Sequence, residues 1–472
     1  MEVVSESSPS RRDRDSLVRF LEYCRGRAGE RGRPQFASIS LRVKHISPLA
    51  VLQSIFEPSA SHFYLEKPAE GEAIAGAEAV WQEDFSGTSR FTDARQAMND
   101  VLENTICIGD LGHRLAGPRF FFFYTFFDDP EEESGVSPGT VFLPRWQVAG
   151  SGGNFFAVAN LPVSPDSPVE IFAEKVLAAH SKFQVFDYPE PSETEPLSIR
   201  VLEKSEVGTR DFESNVEQAL LRIGAGDFEK LVLSRALDFT LSSEAAPLDW
   251  LSRLREKYRE CFSFSVSHGG GESFVGLTPE LLLRVEDSRL ETEALAGSAP
   301  RGQSAGEDAR FAGELLASGK DLHEHQLVAD SIVRRLGELG VQAELDSRPG
   351  LRALPNVQHL LSRVAGRVPG GTDFWQLLRA LHPTPAVGGT PRDNVMEAIA
   401  ELEAHPRGLY AGALGWAGPD GEGQAVVAIR SGLVRGTQVR LYAGAGIVEG
   451  SEPKLEKKET DLKLQVLLEA LG

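Results

Sequence analysis

The pattern of apolar and polar positions predicts a chain in which short strands alternate with helices. Apolar runs of five to nine residues at 119–127, 230–237 and 281–285 are typical of buried strands. Apolar residues recur at helical spacing in other stretches, for example at 212–223 and 321–339. The pattern predicts an α/β (α+β) fold in which the first half forms a mostly antiparallel sheet with helices.

One segment breaks this pattern and is the best candidate for a linker. Residues 189–196 read PEPSETEP, which is acidic and rich in proline. We therefore predict an N-terminal sheet-and-helix portion at 1–196 and a second portion at 197–472 that carries most of the candidate chemistry. We expect the two portions to form one structural unit.

Composition and charge narrow the possible functions. The net charge of −20 argues against a nucleic-acid partner, since binding to phosphates requires lysine and arginine. The three cysteines are scattered without a CxxC pair, which favours a reducing compartment. The N-terminal stretch contains no apolar segment of a secretory signal, and the phenylalanine-rich run at 120–127 is too short to span a bilayer. We expect a cytoplasmic protein without a membrane anchor.

The C-terminal stretch concentrates the candidate chemistry. Residues 425–430 and 438–442 are short apolar runs on either side of a glycine-containing turn, which predicts a β-hairpin. Arg430 is expected at the apolar end of its strand, where a buried charge needs a partner. The small residues 443–446 would let a ligand approach the backbone closely. Ser451 is then expected to cap a helix that has proline in its first turn.

Acidic residues on two predicted helices suggest a cation site. Glu456, Glu459 and Lys463 have the spacing i, i+3 and i+7, so they share one helix face. Glu324 lies near the start of another predicted helix. Carboxylate oxygens are the ligands that Mg²⁺ prefers, and a hydrated Mg²⁺ would bind an anionic ligand. The alternative is an ordinary solvated helix surface.

Three further residues have both a catalytic and an ordinary interpretation. Lys230 begins an apolar strand, where loss of solvent suits an amine to act as a base, although such a lysine can also extend its charged end to water. Glu280 precedes an apolar segment that could raise its pKa and make it an acid, or it could be a solvated turn residue. His359 lies in a strand-like segment and could line a site or simply pack in the core.

Nine segments, in this order, resemble the chorismate-utilising enzymes, and the resemblance covers about residues 200–472. They are KLVLSR from Lys230, LTPE ending at Glu280, LAGSA from Leu295, DLHEHQLV from Asp321, NVQHL from Asn356, HPTPAVGG from His382, VAIRSG from Val427, LYAGAGIV from Leu441 and LEKKETDLK from Leu455.

The resemblance implies a fold like that of anthranilate synthase component I, in which two large antiparallel sheets pack together, helices flank them and the site lies between. Lys230 matches the members that add water to chorismate, whereas the members that add an amine carry glutamine at that position. Ala296 stands where aminodeoxychorismate synthase has a nucleophilic lysine. The HPTPAVGG segment looks like that of isochorismate synthases, so the resemblance implies conversion of chorismate to isochorismate.

The resemblance also implies roles for individual residues. Lys230 would activate water, Glu280 would protonate the departing hydroxyl, and Mg²⁺ would be held by Glu324 and Glu459 with Glu456 nearby. The implied substrate-binding residues are Gly297, Ser298, His359, Ala386, Tyr410, Arg430, Gly444 and Lys463.

Three alternatives remain at this point. A salicylate synthase would go on to eliminate pyruvate from isochorismate. An aminase would need a glutamine amidotransferase subunit, which Lys230 argues against. A non-catalytic chorismate-binding regulator would keep the site without turnover. We expect an Mg²⁺-dependent monomer without an amidotransferase partner.

Overall fold

The computed structural model describes residues 1–4, 14–131, 135–185, 199–208, 210–403 and 405–469. The predicted linker at 189–196 lies outside these residues, and so does the boundary at residue 196. The division into two portions therefore stays a prediction.

The described part of the chain contains eleven α-helices, one short 3₁₀ helix (Pro68–Glu70) and 22 strands. The helices are α1 Arg14–Arg31, α2 Pro48–Ser54, α3 Arg90–Glu103, α4 Val169–Val185, α5 Phe212–Ala225, α6 Pro247–Leu254, α7 Ala305–Ala317, α8 Gly319–Glu338, α9 Phe374–Leu381, α10 Arg392–Leu402 and α11 Pro453–Leu468. The strands are β1 Glu2–Val3, β2 Gln35–Val43, β3 Ser61–Lys67, β4 Glu72–Phe85, β5 Thr105–Gly109, β6 Phe120–Tyr124, β7 Gly139–Ser151, β8 Asn154–Val163, β9 Val201–Glu206, β10 Lys230–Leu241, β11 Phe262–His268, β12 Ser273–Thr278, β13 Leu281–Glu286, β14 Arg289–Pro300, β15 Glu344–Leu345, β16 Gly350–Ala353, β17 Val357–Arg367, β18 Gly389–Thr390, β19 Ala413–Ala417, β20 Gly423–Val427, β21 Ser431–Arg435 and β22 Gln438–Val448.

The strands form two arms that share the long strand β7. In one arm, hydrogen-bonded neighbours run β10, β22, β21, β12, β11, β3, β4 and β7. In the other, they run β7, β6, β19, β20, β13, β14 and β17. All of these pairings are antiparallel, so the prediction of an antiparallel sheet-rich α+β fold is confirmed.

The two arms pack against each other through one large hydrophobic cluster. Leu231 and Leu233 of β10 belong to it together with Leu282 of β13 and Phe122 of β6, and all four are essentially inaccessible to solvent. Strands of the first 165 residues thus pair and pack with strands of the last 250, as in β3 with β11 and β6 with β19. Burial of this much apolar surface is the main stabilising contribution to such a fold.

The chain crosses between the arms at two neighbouring points. It leaves β12 in the first arm and enters β13 in the second through Pro279 and Glu280. It returns from β20 to β21 through residues 428–430. The crossings put irregular backbone, and the side chains it carries, between the two arms rather than on the outer surface.

Two local predictions were wrong. Residues 425–430 do not pair with 438–442; the hairpin partner of β22 is β21, and Arg430 lies at a crossing rather than on a strand. The N-cap position of helix α11 is Glu452, not Ser451, although Pro453 does occupy the first helical position. The Ser451 hydroxyl accepts a hydrogen bond from the preceding amide of Val448 instead of capping the helix.

The stretches at 212–223 and 321–339, where helical spacing was predicted, correspond to α5 and α8. None of the described helices is both long enough and apolar enough to cross a membrane.

Candidate active site

A cavity between the two arms brings together most of the residues predicted from the sequence. It encloses about 610 Å³ of space between atoms, part of it open solvent. The predicted residues in its wall are Glu280, Gly297, Ser298, Glu324, His359, Ala386, Tyr410, Arg430, Gly444, Glu459 and Lys463. Lys230 and Glu456 are not part of the wall; each lies behind a residue that is.

Backbone hydrogen bonds join the two crossings and place Glu280 beside Arg430. The amide of Val427 donates to the carbonyl oxygen of Glu280 (3.2 Å), and the amide of Leu277 donates to the carbonyl oxygen of Arg430 (3.1 Å). Arg430 has a positive φ of 51°, which is unusual for a residue with a long side chain. Backbone of this kind is common at functional sites, where surrounding contacts hold it in place.

Glu280 is a carboxyl group that the protein keeps protonated at neutral pH. It is 2% exposed, and its side chain has a single long contact, from the Thr384 hydroxyl to Oε1 at 3.5 Å. Burial raises the pKa of Glu280 to about 8; the positive charge of Lys230 opposes this rise and the negative charge of Glu293 adds to it. A neutral carboxyl group facing a cavity is suited to act as a general acid.

Lys230 is fully buried and is paired with Glu324. Its Nζ lies 2.9 Å from Oε1 of Glu324, whose side chain is 12% exposed. Gly446 permits this contact, since a Cβ there would lie 2.2 Å from the same Oε1. The amine therefore lies behind Glu324 rather than in the wall, and its charge acts on the carboxyl group of Glu280.

A chain of hydrogen bonds fixes Arg430, His359 and Ser298. Arg430 Nη2 lies 2.7 Å from Nε2 of His359, and the Ser298 hydroxyl lies 3.0 Å from Nδ1. Burial, and then the charge of Arg430, lowers the pKa of His359 well below its usual range, so the ring is neutral. Since arginine only donates, Nε2 must accept and Nδ1 carries the proton. His359 thus orients Arg430, whose fork of donors suits a carboxylate.

Glu459 and Lys463 form an ion pair in the opposite wall of the cavity. Lys463 Nζ lies 2.7 Å from Oε1 of Glu459 and donates to the carbonyl oxygen of Gly444 at 2.8 Å. Although burial alone would raise it, the pKa of Glu459 is lowered, chiefly by Lys463 with help from Ser298. Glu459 is therefore charged under conditions in which Glu280 is neutral.

The predicted cation ligands lie in one corner, but each has an ammonium partner. Lys320 donates to Oε1 of Glu456 at 2.7 Å, while Glu324 and Glu459 are paired with Lys230 and Lys463. Within the described residues, no group of three or more histidine, cysteine, aspartate or glutamate side chains is arranged to hold a metal ion. The predicted triad is thus not assembled around one point.

The electrostatics of this corner nevertheless fit a divalent cation. The pKa of Glu456 is raised by burial and by the charge of Glu459. The pKa of Asp321 is raised by burial and also by the charges of Glu324 and Glu459. Carboxylates that repel one another beside a cavity are a suitable oxygen donor set for Mg²⁺. The Mg²⁺ site stays a prediction, with Glu324 and Glu459 as its cavity-facing ligands.

Sequence reasoning missed three residues that contact the site. Thr384 reaches Glu280 although only the segment around it was noticed, and its cue was a hydroxyl between two prolines. Tyr442 lines the cavity and stacks on Tyr410, with ring centres 5.2 Å apart. Lys320 pairs with Glu456 across 136 positions of sequence, a contact that no local pattern could indicate.

The sequence matches the family described as "Chorismate binding enzyme" over residues 19–472. It is 30% identical over 446 residues to isochorismate synthase MenF of Bacillus subtilis strain 168, covering 92% of this chain and 93% of the relative. It is also 30% identical to the salicylate biosynthesis isochorismate synthase of Pseudomonas aeruginosa, covering 96% and 93%.

The structure is similar to that of MenF, the menaquinone-specific isochorismate synthase from Escherichia coli. The TM-score is 0.76 at 26% identity, and the match covers 97% of this chain and all of the other. The fold predicted from the resemblance is therefore confirmed across both halves of the chain.

Proposed function

Because the chain belongs to the chorismate-binding enzyme family, we propose that it is an isomerase that converts chorismate to isochorismate. The relatives in the preceding section carry the name isochorismate synthase and align over nearly the whole chain. The observation that carries the proposal is the buried acid Glu280 in the wall of a cavity whose wall also contains Glu324, the partner of the buried amine Lys230.

The reaction needs both groups. In chorismate, water adds at C2 while the C4 hydroxyl leaves and the ring double bonds shift. Water is a poor nucleophile and hydroxide a poor leaving group, so a base and an acid are each worth about 10²–10⁴-fold. Lys230, in its neutral amine form, takes a proton from the attacking water as the O–C2 bond forms and becomes the ammonium that pairs with Glu324. Glu280 gives its proton to the departing oxygen as the C4–O bond breaks, and solvent then restores both groups.

The other residues of the wall bind and orient the dianionic substrate. Arg430, held by His359, binds one carboxylate through paired hydrogen bonds. Backbone around Gly297 and Gly444 approaches the ring closely, and Gly297 has the positive φ of 77° that favours glycine. Bound Mg²⁺ at Glu324 and Glu459 would neutralise the second carboxylate.

The test is to incubate the purified chain with chorismate, with and without added Mg²⁺, and to separate the products by chromatography. We expect isochorismate, and we expect its formation to require Mg²⁺. Salicylate plus pyruvate from the same chain alone would establish a salicylate synthase instead. Absence of any turnover by a folded, Mg²⁺-supplied protein would favour the non-catalytic regulator.

We also propose that no amidotransferase subunit takes part, because Lys230 stands where the amine-adding members carry glutamine. A nitrogen-containing product from chorismate and ammonia would contradict this. The monomeric state and the cytoplasmic location stay predictions.

A further inference from the structure

A buried ion pair outside the cavity holds the backbone that carries Glu280. Arg352 of β16 donates to Glu293 of β14 through two bonds, from Nη1 to Oε2 at 2.9 Å and from Nη2 to Oε1 at 2.8 Å. Both side chains are 9% exposed. Nη1 also donates to the carbonyl oxygen of Pro279 at 2.7 Å. The guanidinium group thus ties the residue before Glu280 to the second arm of the fold.

The crossing at Glu280 depends on a small number of such bonds. The amide of Glu280 donates to the Thr278 hydroxyl at 3.2 Å, and its carbonyl oxygen accepts from Val427. Arg352 supplies the bond to the preceding carbonyl, and it is a charged donor, which makes that bond stronger than a neutral one. A displacement of the acid by about 1 Å can cost about 10²-fold in rate, so these bonds bear directly on catalysis.

Neither member of the pair belongs to the candidate active site. Arg352 and Glu293 line a second, polar cavity, and none of the residues around that cavity lines the first one. A substitution in the pair therefore removes no side chain from the substrate-facing wall.

We propose that Arg352 and Glu293 are positioning residues for Glu280: Arg352 fixes the Pro279–Glu280 peptide, and Glu293 both orients Arg352 and places a negative charge near the acid. This rests on the role of Glu280 in the proposed function. The expected consequence is a Glu280 that stays in place and stays protonated through neutral pH.

Charge around Glu280 supports the second part of the proposal. Glu293 raises the pKa of Glu280, after burial the strongest raising effect, while Lys230 and Lys463 lower it. The titratable and charged groups that face Glu280 or line its cavity are Lys230 of β10, Glu293 of β14, Glu324 of α8, Arg352 of β16, His359 of β17, Tyr410, Arg430, Tyr442 of β22, and Glu459 and Lys463 of α11.

Two substitutions distinguish the effect of the position of Glu280 from the effect of the negative charge of Glu293. Glu293→Gln keeps the shape but removes the charge, so the alkaline limb of the kcat/KM profile should move to lower pH by about one unit. Arg352→Lys keeps the charge but loses the planar fork, so kcat should fall at least about tenfold with KM unchanged. Unchanged pH limbs in Glu293→Gln, or an unchanged kcat in Arg352→Lys, would overturn the corresponding half of the proposal.

The matched control is Glu66→Gln. Glu66 accepts two bonds from Arg255, at 2.9 and 2.8 Å, in a similarly buried pair that does not line the candidate site. We expect it to lower the melting temperature as Glu293→Gln does, with kcat and the pH limbs unchanged. An equal pH shift in this control would show a general effect of broken ion pairs and would overturn the proposal.

A double variant tests the positioning role in case one of the single variants does not fold. The double substitution Glu293→Leu with Arg352→Met replaces the pair by apolar groups, a change that is often neutral for stability. Because Pro279 loses its donor, kcat should still fall at least about tenfold. Wild-type kcat in a folded double variant would contradict the positioning role.

Infrared spectroscopy separates this proposal from the proposed function. The protonated carboxyl band of Glu280 is identified as the band that Glu280→Gln removes, and its titration needs no turnover. Its midpoint should fall in Glu293→Gln and not in Glu66→Gln, whatever reaction the protein catalyses. A midpoint that does not move would overturn the charge part of the proposal even if isochorismate is formed.

Discussion

Two carboxyl groups on the two sides of the cavity have pKa values that are shifted in opposite directions. At the crossing between β12 and β13, Glu280 is 2% exposed, is contacted at 3.5 Å by the Thr384 hydroxyl, and has a pKa raised to about 8. On helix α11, the side chain of Glu459 is 27% exposed and lies 2.7 Å from Lys463, and its pKa is lowered. One carboxyl group is kept neutral and the other charged within a single site.

The difference shows what each position can do. A pair of titratable groups whose pKa values are pushed apart identifies the acid and the charged partner of a reaction. Glu280 can donate a proton at neutral pH, whereas Glu459 can only attract cations or accept hydrogen bonds. Burial dominates at Glu280, whereas at Glu459 the adjacent ammonium of Lys463 and its other partners outweigh burial.

The largest expected effect comes from removing the acid. Glu280→Gln should lower kcat by about 10²–10⁴-fold, because the departing hydroxyl loses its proton donor while the shape of the wall is kept. Steady-state formation of isochorismate measures this, and Glu66→Gln is the control. Turnover within about twofold of wild type would show that Glu280 is not the acid and would break the comparison.

Most of the difference between Glu280 and Glu459 could be predicted from the sequence. Glu280 was suspected from its apolar neighbours, and the spacing of Glu459 and Lys463 placed them on one helix face. Local pattern suffices for pairs within one helix and for a charge beside an apolar strand.

What the sequence could not show are the contacts made through the crossings. The hydrogen bond from Arg352 to the Pro279 carbonyl oxygen joins residues 73 positions apart. The pairing of Lys320 with Glu456 joins residues 136 positions apart. The position of Arg430 was misplaced for the same reason, since its positive φ depends on the neighbouring crossing at Leu277 and not on its own neighbours in sequence.

The second effect tests the charged side of the comparison. Glu459→Gln removes a proposed cation ligand, so the Mg²⁺ concentration for half-maximal activity should rise at least about tenfold, the cost that even outer partners of a metal site carry. Glu452→Gln, an exposed change at the cap of the same helix, is the control. An unchanged Mg²⁺ requirement would remove Glu459 from the proposed ligands.

The third effect is on stability rather than rate. The pKa of Glu280 is raised by folding, so its contribution to stability is complete below the pKa of the unfolded chain and is lost as pH rises towards about 8. In that window the free energy of unfolding should fall by at most about 1.4 kcal/mol per pH unit from this group. Denaturant titrations at several pH values should show that this slope is absent in Glu280→Gln. Equal slopes in wild type and variant would mean that Glu280 titrates normally.

The smallest expected effect is on the pKa of Glu280, the neutral carboxyl group. The Thr384 hydroxyl contacts Oε1 of Glu280 at 3.5 Å and lowers the pKa of that carboxyl group, against the larger effect of burial. Thr384→Val keeps the shape and removes the hydroxyl, so the alkaline limb of kcat/KM should move to higher pH by about half a unit, the scale of one weak hydrogen bond. The direction is informative because Glu293→Gln, by removing a negative charge, should move the same limb the opposite way. If both substitutions shifted the limb downwards, the neutral state of Glu280 would have to depend on intact packing rather than on the balance of its neighbours.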